Sequence, residues 1–289
     1  MAVSPQSPRI AGPRRLAGAF RAIIDHGILI CAGFVILVPF IWMVATSLKP
    51  ADEIFSDPLS LIPDEFAGME NYGHALTTVP MMRFMLNGLI VVSGILIAQV
   101  TVALFAAYAL AKLEFRGRNL LFALVLLGLC VPIQVPALPL YLGLANLRLL
   151  DTYFALMAPF LLSTFAIFLF RQFFKSYPDE IIQAARLDGF TEVELVLRLI
   201  LPSARPAIAA FAVFSATAHW NDLYWPMIAV TSLEHSTPPL GMLLFNEGEM
   251  GANYGALAAG AVIITAPIVL AFLLAQRQFV RGITMTGFK

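Results

Sequence analysis

Six stretches of the chain, residues 27–48, 84–111, 119–147, 152–170, 206–233 and 252–276, contain no Lys, Arg, Asp or Glu apart from Asp222 in the fifth. A helix needs about 20 mainly apolar residues to cross a bilayer, and each stretch comes near or exceeds that. They are too long and too apolar for core helices of a soluble domain. The alternation of a membrane β-barrel, with strands of about ten residues, is absent. The pattern predicts an all-α integral membrane protein with six transmembrane helices. Composition agrees, with 12% charged residues, 60% hydrophobic residues and a mean hydropathy of +0.83. Soluble domains carry about a quarter charged residues, so an ordinary soluble enzyme is excluded, as is a disordered chain. A formal net charge of zero leaves no electrostatic footprint for nucleic acid. Cys31 and Cys130, both in apolar runs, form neither a disulfide framework nor a metal motif.

The charges between the stretches set the orientation. All 18 basic residues except Lys49, Arg83 and Arg148 precede the first stretch, follow the sixth, or lie between the second and third or the fourth and fifth. The positive-inside rule places those segments, and both termini, in the cytoplasm. The first apolar run exceeds the about 7–15 residues of a signal-peptide core, so it reads as a retained span. Residues 1–21 read as a disordered cytoplasmic tail and 22–289 as one transmembrane domain. Two outer segments remain. One carries Asp52, Glu53, Asp57, Asp64, Glu65 and Glu70, and the other Glu234, Glu247 and Glu249. They are either solvated acidic loops or a docking face for an external partner.

The segment between the fourth and fifth stretches, residues 176–206, is patterned for two short helices. Pro178 fits a first turn, and Ile181, Ala184, Ala185 and Leu187 give the first helix an apolar side. Gly189 can take the left-handed conformation that ends a helix. Thr191 with Glu194 reads as a capping box, and Val193, Val196, Leu197 and Ile200 form a second apolar stripe before Pro202 and Pro206. Such a surface packs on the chain's own helices, docks a cytoplasmic partner, or forms a DNA-binding helix-turn-helix. Asp179, Glu180, Asp188, Glu192 and Glu194 against Arg186 and Arg198 make a surface that repels phosphate and argue against DNA.

The run Gln183-Ala184-Ala185-Arg186-Leu187-Asp188-Gly189, followed by Ile200-Leu201-Pro202, resembles the EAA loop of permease subunits of bacterial ABC importers. Its Ala-Ala-Arg-hydrophobic-Asp-Gly form is similar to the carbohydrate-uptake, maltose-type branch, as are Trp220-Asn221-Asp222 with Trp225-Pro226 and the tail Gln276-Arg277-x-Phe279-Val280-Arg281-Gly282. The resemblance covers the chain from about Phe84 onward. It implies a type I (MetI-like) permease fold with a cytoplasmic coupling helix, in the bacterial inner membrane. It also implies a second homologous permease subunit, two cytoplasmic ATPase subunits and an extracytoplasmic solute-binding protein. Asp179, Glu180, Gln183, Ala184, Ala185, Asp188 and Gly189 are then the residues that couple to the ATPase. Gln183 stands where the family has Glu, so a charged contact there is either absent, replaced by an amide hydrogen bond, or supplied by the neighbouring Asp179 or Glu180.

The chain has no G-x-x-x-x-G-K-[ST] run, so ATP is expected on the partner subunits, with no cofactor on this one. Polar residues within the spans are the candidates for a translocation pathway: Asn87, Gln134, Trp220, Asn221 and Asp222. An ionisable group in the membrane marks function by default, but the resemblance equally implies a structural role for Asp222, the family's Trp-Asn-Asp/Glu segment marking a break in the fifth span. The amides more often form hydrogen bonds between helices. Trp220, Tyr224 and Trp225 suit sugar stacking or an interfacial belt. Two competing classes remain. An ion-coupled secondary transporter would use Asp222 but leaves the 176–206 loop without a purpose and needs repeats that are not evident. An intramembrane enzyme has only His219 near Asp222 to offer.

Overall fold

The computed structural model describes residues 13–56, 60–247 and 253–286. In chain order the helices are α1 (Pro13–Ser47), α2 (Ala51–Ser56), α3 (Gly68–Thr77), α4 (Met81–Lys112), α5 (Arg118–Leu129), α6 (Gln134–Asn146), α7 (Tyr153–Met157) and α8 (Thr164–Lys175). There follow α9 (Asp179–Leu187), α10 (Glu192–Glu194), α11 (Leu201–Ser203), α12 (Arg205–Trp220), α13 (Tyr224–Ala229), α14 (Pro238–Glu247) and α15 (Tyr254–Thr286). A 3-10 turn at Ala158–Phe160 and a π-helical stretch at Leu195–Ile200 complete the described helices, and no strand occurs among the described residues.

Among the described residues, three helical segments are long and apolar enough to cross a membrane unbroken: Ile23–Ser47, Met81–Lys112 and Tyr254–Leu274. The other apolar stretches are bent. Arg118–Leu129 meets Gln134–Asn146 at 98° and Tyr153–Phe160 meets Thr164–Lys175 at 48°, while Arg205–Trp220 turns 77° from Glu192–Ser203 of the 176–206 loop that precedes it. Counting each bent pair as one crossing gives up to six, compatible with the sequence pattern. The first bend has a clear cause. Pro132 has no N–H to continue α5 and disfavours helical backbone in the residue before it. The last bonds of α5 accordingly tighten to three-residue steps, Cys130 N–H to Leu127 O and Val131 N–H to Gly128 O. The stretch 206–233 breaks at 221–223, between α12 and α13. At the N-terminus, α1 begins at Pro13, so residues 13–21 are helix rather than the tail expected of them; residues 1–12 lie outside the described residues. Leu16, Ala17 and Ala19 are strong helix formers and favour these extra turns.

Around α4 the other helices pack in order: α8 and α12 against α4, α15 against α12, and α1 and α3 against α15. At the Lys112 end of α4, here the loop end, Ala103, Leu104 and Ala107 pack with Phe170 and Phe174 of α8 and with Ile182, Leu195 and Ile200 of the 176–206 loop. At the opposite, far end, Met81, Phe84 and Val92 surround Trp220 and Ile264. Beside them Trp225 is enclosed by Ala137, Ala155 and Ala229. α14 lies so close to α4 that a Cβ on Gly241 would overlap the Phe84 ring.

The acidic segment after α1 folds into α2 and α3 instead of a solvated loop. Glu53 is buried, accepts the Asp64 N–H with both oxygens at 3.2 and 3.1 Å, and pairs with Lys49 at 3.5 Å. Asn71 ties α3 to the end of α1 by donating to the carbonyls of Ser47 and Lys49, at 3.0 and 2.8 Å. Of the expected acidic residues, Asp57 and Glu249 lie outside the described residues.

Candidate functional site

The 176–206 loop is built by two local caps. α9 ends in a left-handed Gly189 with φ +85°. Phe190 N–H reaches back to Ala185 O at 3.0 Å and Gly189 N–H to Arg186 O at 3.1 Å. That pair of bonds is the Schellman closure, which only a residue without a Cβ adopts freely. Two residues on, Thr191 accepts the Glu194 N–H at 3.3 Å while the Glu194 carboxylate accepts the Thr191 N–H at 3.1 Å, closing the capping box. Pro178 sits one residue before α9, at its N-cap, rather than within its first turn. The second helix continues through a π turn, in which Leu201 N–H bonds Val196 O five residues back.

Side chains then fasten this loop to α4. Lys112 donates to Asp179 Oδ1 and to Tyr177 O, both at 2.6 Å. Glu192 receives Arg186 Nε at 2.9 Å and Nη2 at 3.2 Å, and the Tyr108 hydroxyl of α4 as well. The Arg186 guanidinium, helped by Tyr108, holds the Glu192 carboxyl below the usual carboxylate range against the opposing effect of burial. The Thr191 N–H and hydroxyl likewise lower Glu194.

α9 has two faces. Ile182 and Ala185 are buried against the bundle, while Asp179, Glu180, Ile181, Gln183, Ala184, Leu187, Asp188 and Gly189 face outward. Ala185 therefore lies on the inner face and is not part of the exposed surface with the other six predicted coupling residues. The apolar side read from sequence is split, because Ile182 rather than Ile181 leads the packed face. Leu187 is 89% exposed, the most solvent-presented large apolar residue of the loop. In the second helix Val196 and Ile200 are buried as expected, Leu195 joins them, and Val193 and Leu197 point outward. The π turn shifts the register that a regular helix would have kept.

The predicted pathway residues do not form one site. Asn87 is buried and fully engaged: its amide donates to Glu234 O and Ser236 O, each at 2.9 Å, and its oxygen accepts the Tyr153 hydroxyl at 2.7 Å. Trp220 is buried with its indole N–H on Ile264 O at 3.0 Å. Asn221 bonds back to Thr217 O at 2.9 Å. Asp222 lies in the break and accepts the Trp225 N–H at 3.4 Å, the manner in which an acidic side chain starts a helix. Trp225, fully buried, donates to Ala155 O at 2.8 Å. Gln134 stands exposed at the start of α6. His219 turns to Gln99, 3.2 Å away, rather than to Asp222, and Gln99 also takes the Ser215 hydroxyl at 2.6 Å and donates to Phe160 O at 2.8 Å.

At the far end a second set of contacts was not legible in the sequence. Arg83 pairs with Glu234 at 2.6 Å. Asp151, at a left-handed φ of 57°, collects the Thr231 and Ser232 N–H groups and the Ser232 hydroxyl on one oxygen, at 3.3, 3.1 and 2.9 Å. Burial raises the Asp151 carboxyl, but those bonds and nearby His235 outweigh it and leave the group lowered. The one sequence signal was an acidic residue between two apolar runs.

Bent apolar helices around a central span, with a doubly capped loop braced against one end, define an all-helical membrane permease component. Residues 99–285 match the binding-protein-dependent transport system inner membrane component family, and the chain belongs to it. Similar proteins include the arabinooligosaccharides transport system permease protein AraQ of Halalkalibacterium halodurans, 31% identical over 258 residues, 89% of this chain and 92% of that protein. The diacetylchitobiose uptake system permease protein NgcG of Streptomyces coelicolor is 32% identical over 271 residues, covering 93% and 89%. The sn-glycerol-3-phosphate transport system permease protein UgpE of Escherichia coli is 32% identical over 269 residues, covering 90% and 95%. The fold is shared with a chain of a bacterial ABC transporter involved in the import of the acidic polysaccharide alginate, at a TM-score of 0.77 and 22% identity over 94% of this chain and 100% of that one. This is the type I permease fold that the sequence resemblance implied.

Proposed function

We propose that the chain is one permease subunit of an ATP-driven importer for a sugar or sugar-like solute delivered by an extracytoplasmic binding protein. The solute class is supported by the relatives, two of which are named for oligosaccharide uptake. The observation that carries the mechanism is the outward face of α9. Glu180, Ile181, Gln183, Ala184 and Leu187 stand exposed on a short helix whose other face and both ends are fixed to the bundle. A rigid helix presenting Leu187 at 89% exposure suits a cleft on a cytoplasmic ATPase. Motion of that subunit is then delivered through Asp179–Lys112 and Glu192–Tyr108 to α4, and the bundle rocks between inward- and outward-facing states. ATP is bound and hydrolysed on two such partner subunits, and a second permease subunit completes the pathway. Positive-inside charge supports placing this loop and both termini in the cytoplasm.

The test is a tagged pull-down from native membranes in mild detergent, for the wild type and for Leu187→Asp. A stoichiometric ATPase and a second permease are expected with the wild type, and the variant is expected to lose the ATPase while keeping the second permease. A wild-type chain that purifies alone under every mild condition would defeat the reading.

A further inference from the structure

Gln134, Ala137, Leu138 and Tyr141 fall on one face of α6, at helical spacing. With Tyr224 and Ile228 of α13 they line an open cavity of about 260 Å³. Both walls are pieces of broken spans, α6 beyond the 98° bend and α13 beyond the 221–223 break. Irregular backbone at membrane depth persists where it is buried in protein or lines a polar cavity. The depth follows from helix lengths. α5 starts at Arg118 and α12 at Arg205, both at the loop end. Their 12 and 16 residues advance about 18 and 24 Å at about 1.5 Å per residue. The cavity therefore lies past the middle of a hydrocarbon layer about 30 Å thick.

Its polar groups are unspent. The Gln134 amide and the Tyr141 and Tyr224 hydroxyls make no hydrogen bond within the described residues, unlike Asn87, Gln99, Trp220 and Trp225, which are all engaged. Three polar side chains without a hydrogen bond line one open, mainly apolar recess; faced by lipid tails they are costly, and a polar occupant satisfies them. The lining has no charge. Residues 130–147 contain no Lys, Arg, Asp or Glu, and the sole charge in 220–229 is the acidic Asp222. An anionic group finds no counter-charge here. A sugar ring matches on both counts, with an apolar C–H face for an aromatic ring and a rim of hydroxyls for an amide and two phenols.

We propose that this cavity is a subsite for a neutral polyhydroxylated ring of the transported solute, stacked on Tyr141 or Tyr224 and hydrogen-bonded by Gln134. The proposal rests on the carbohydrate reading above and adds that this subunit itself touches the solute and selects against a phosphorylated one at this point.

The test uses the complete transporter, with its partner subunits and binding protein, in proteoliposomes loaded with ATP. Uptake is measured with radiolabelled arabinobiose, diacetylchitobiose and sn-glycerol 3-phosphate, at equal amounts of assembled complex. Tyr141→Ala, Tyr224→Ala and Gln134→Ala are each expected to lower uptake of the neutral probe about tenfold. Tyr141→Phe and Tyr224→Phe keep the stacking face but lose the phenol hydrogen bond, so their uptake should fall between the wild type and the alanine variants. Gln134→Ala is the control for folding, because truncating an exposed side chain opens no core. Neutral uptake by the wild type with all three alanine variants unaffected would overturn the subsite and leave the carbohydrate reading standing. A wild type that imports glycerol phosphate alone, or none of the probes, would overturn the subsite together with that reading.

Discussion

Arg186 and Glu192 face each other across the Gly189 turn through two parallel hydrogen bonds of 2.9 and 3.2 Å, and the same carboxylate receives Tyr108 from α4. One carboxylate thereby fixes the angle between the two short helices of the loop and joins both to the bundle. The pair is partly exposed, so its effect on global stability is small, about 1 kcal/mol or less. Its geometric effect is larger. Glu192→Ala and Arg186→Ala are each expected to lower uptake per ATP hydrolysed, and the double variant to do no worse than either single one. Strictly additive losses in coupled uptake and ATPase assays would break the inferred unit.

The pH dependence of the same contact has a defined sign. Glu192 is depressed in the folded state, chiefly by Arg186. The stabilisation is fully present above the unfolded carboxylate value and is lost as pH falls through the folded one. Hydrogen exchange of residues 186–194, corrected for intrinsic rates, should accelerate on acidification below the ordinary carboxylate range. Glu192→Gln should reduce that dependence and leave the part carried by Glu194, whose carboxylate holds the Thr191 N–H.

Gly189 holds φ +85° with open space where a Cβ would go, so substitution there acts through the backbone alone. The left-handed conformation costs an ordinary L residue about 1–2 kcal/mol. Gly189→Val is expected to leave membrane abundance unchanged and to uncouple uptake from ATP hydrolysis, with Gly189→Asn milder. Normal uptake by the valine variant would count against the coupling role.

At the far end the limit is steric. A Cβ on Gly241 meets the Phe84 ring, and overpacking costs about 1–3 kcal/mol. Gly241→Ala should lower the thermal inactivation temperature of the purified complex, and adding Phe84→Leu should restore part of it. A double variant no better than the single would refute the contact as the cause.

Trp225→Phe removes the donor to the Ala155 carbonyl while keeping most of the ring. An unpaired buried acceptor costs about 1–3 kcal/mol, and Trp225→Ala, which empties the site, about 3–5 kcal/mol. Thermal inactivation should rank the three chains in that order.

What the sequence revealed and what it hid divide along physical lines. Gly189, Thr191 and Glu194 were readable because caps are contacts between residues three to six apart. The apolar stretches were readable because bilayer thickness sets a length on its own. The inward face of Ala185 was not, since a nine-residue helix with Ile181 and Ile182 adjacent can pack either way until its neighbours are known. The register of 195–200 was hidden because a regular helical stripe was assumed where a π turn formed. Asn87 looked like a pathway group because its partners, Tyr153, Glu234 and Ser236, are 66 or more residues away in the chain. The 98° angle between α5 and α6 was hidden because it depends on where α6 finds its packing.

α1 carries a last consequence. In its span Ile23–Ser47 the buried residues are Ala45 and Ser47, both at the far end, and its contacts run to α15 and α3. Most of its side-chain surface is therefore left to hydrocarbon, so partitioning contributes more to its position than to that of the enclosed helices. The rest of the chain keeps its shape through side chains that interlock, whereas α1 keeps its position through the medium around it. Its anchorage will follow the thickness and fluidity of the surrounding lipid, or the second subunit that replaces that lipid, more closely than it follows any substitution in the core.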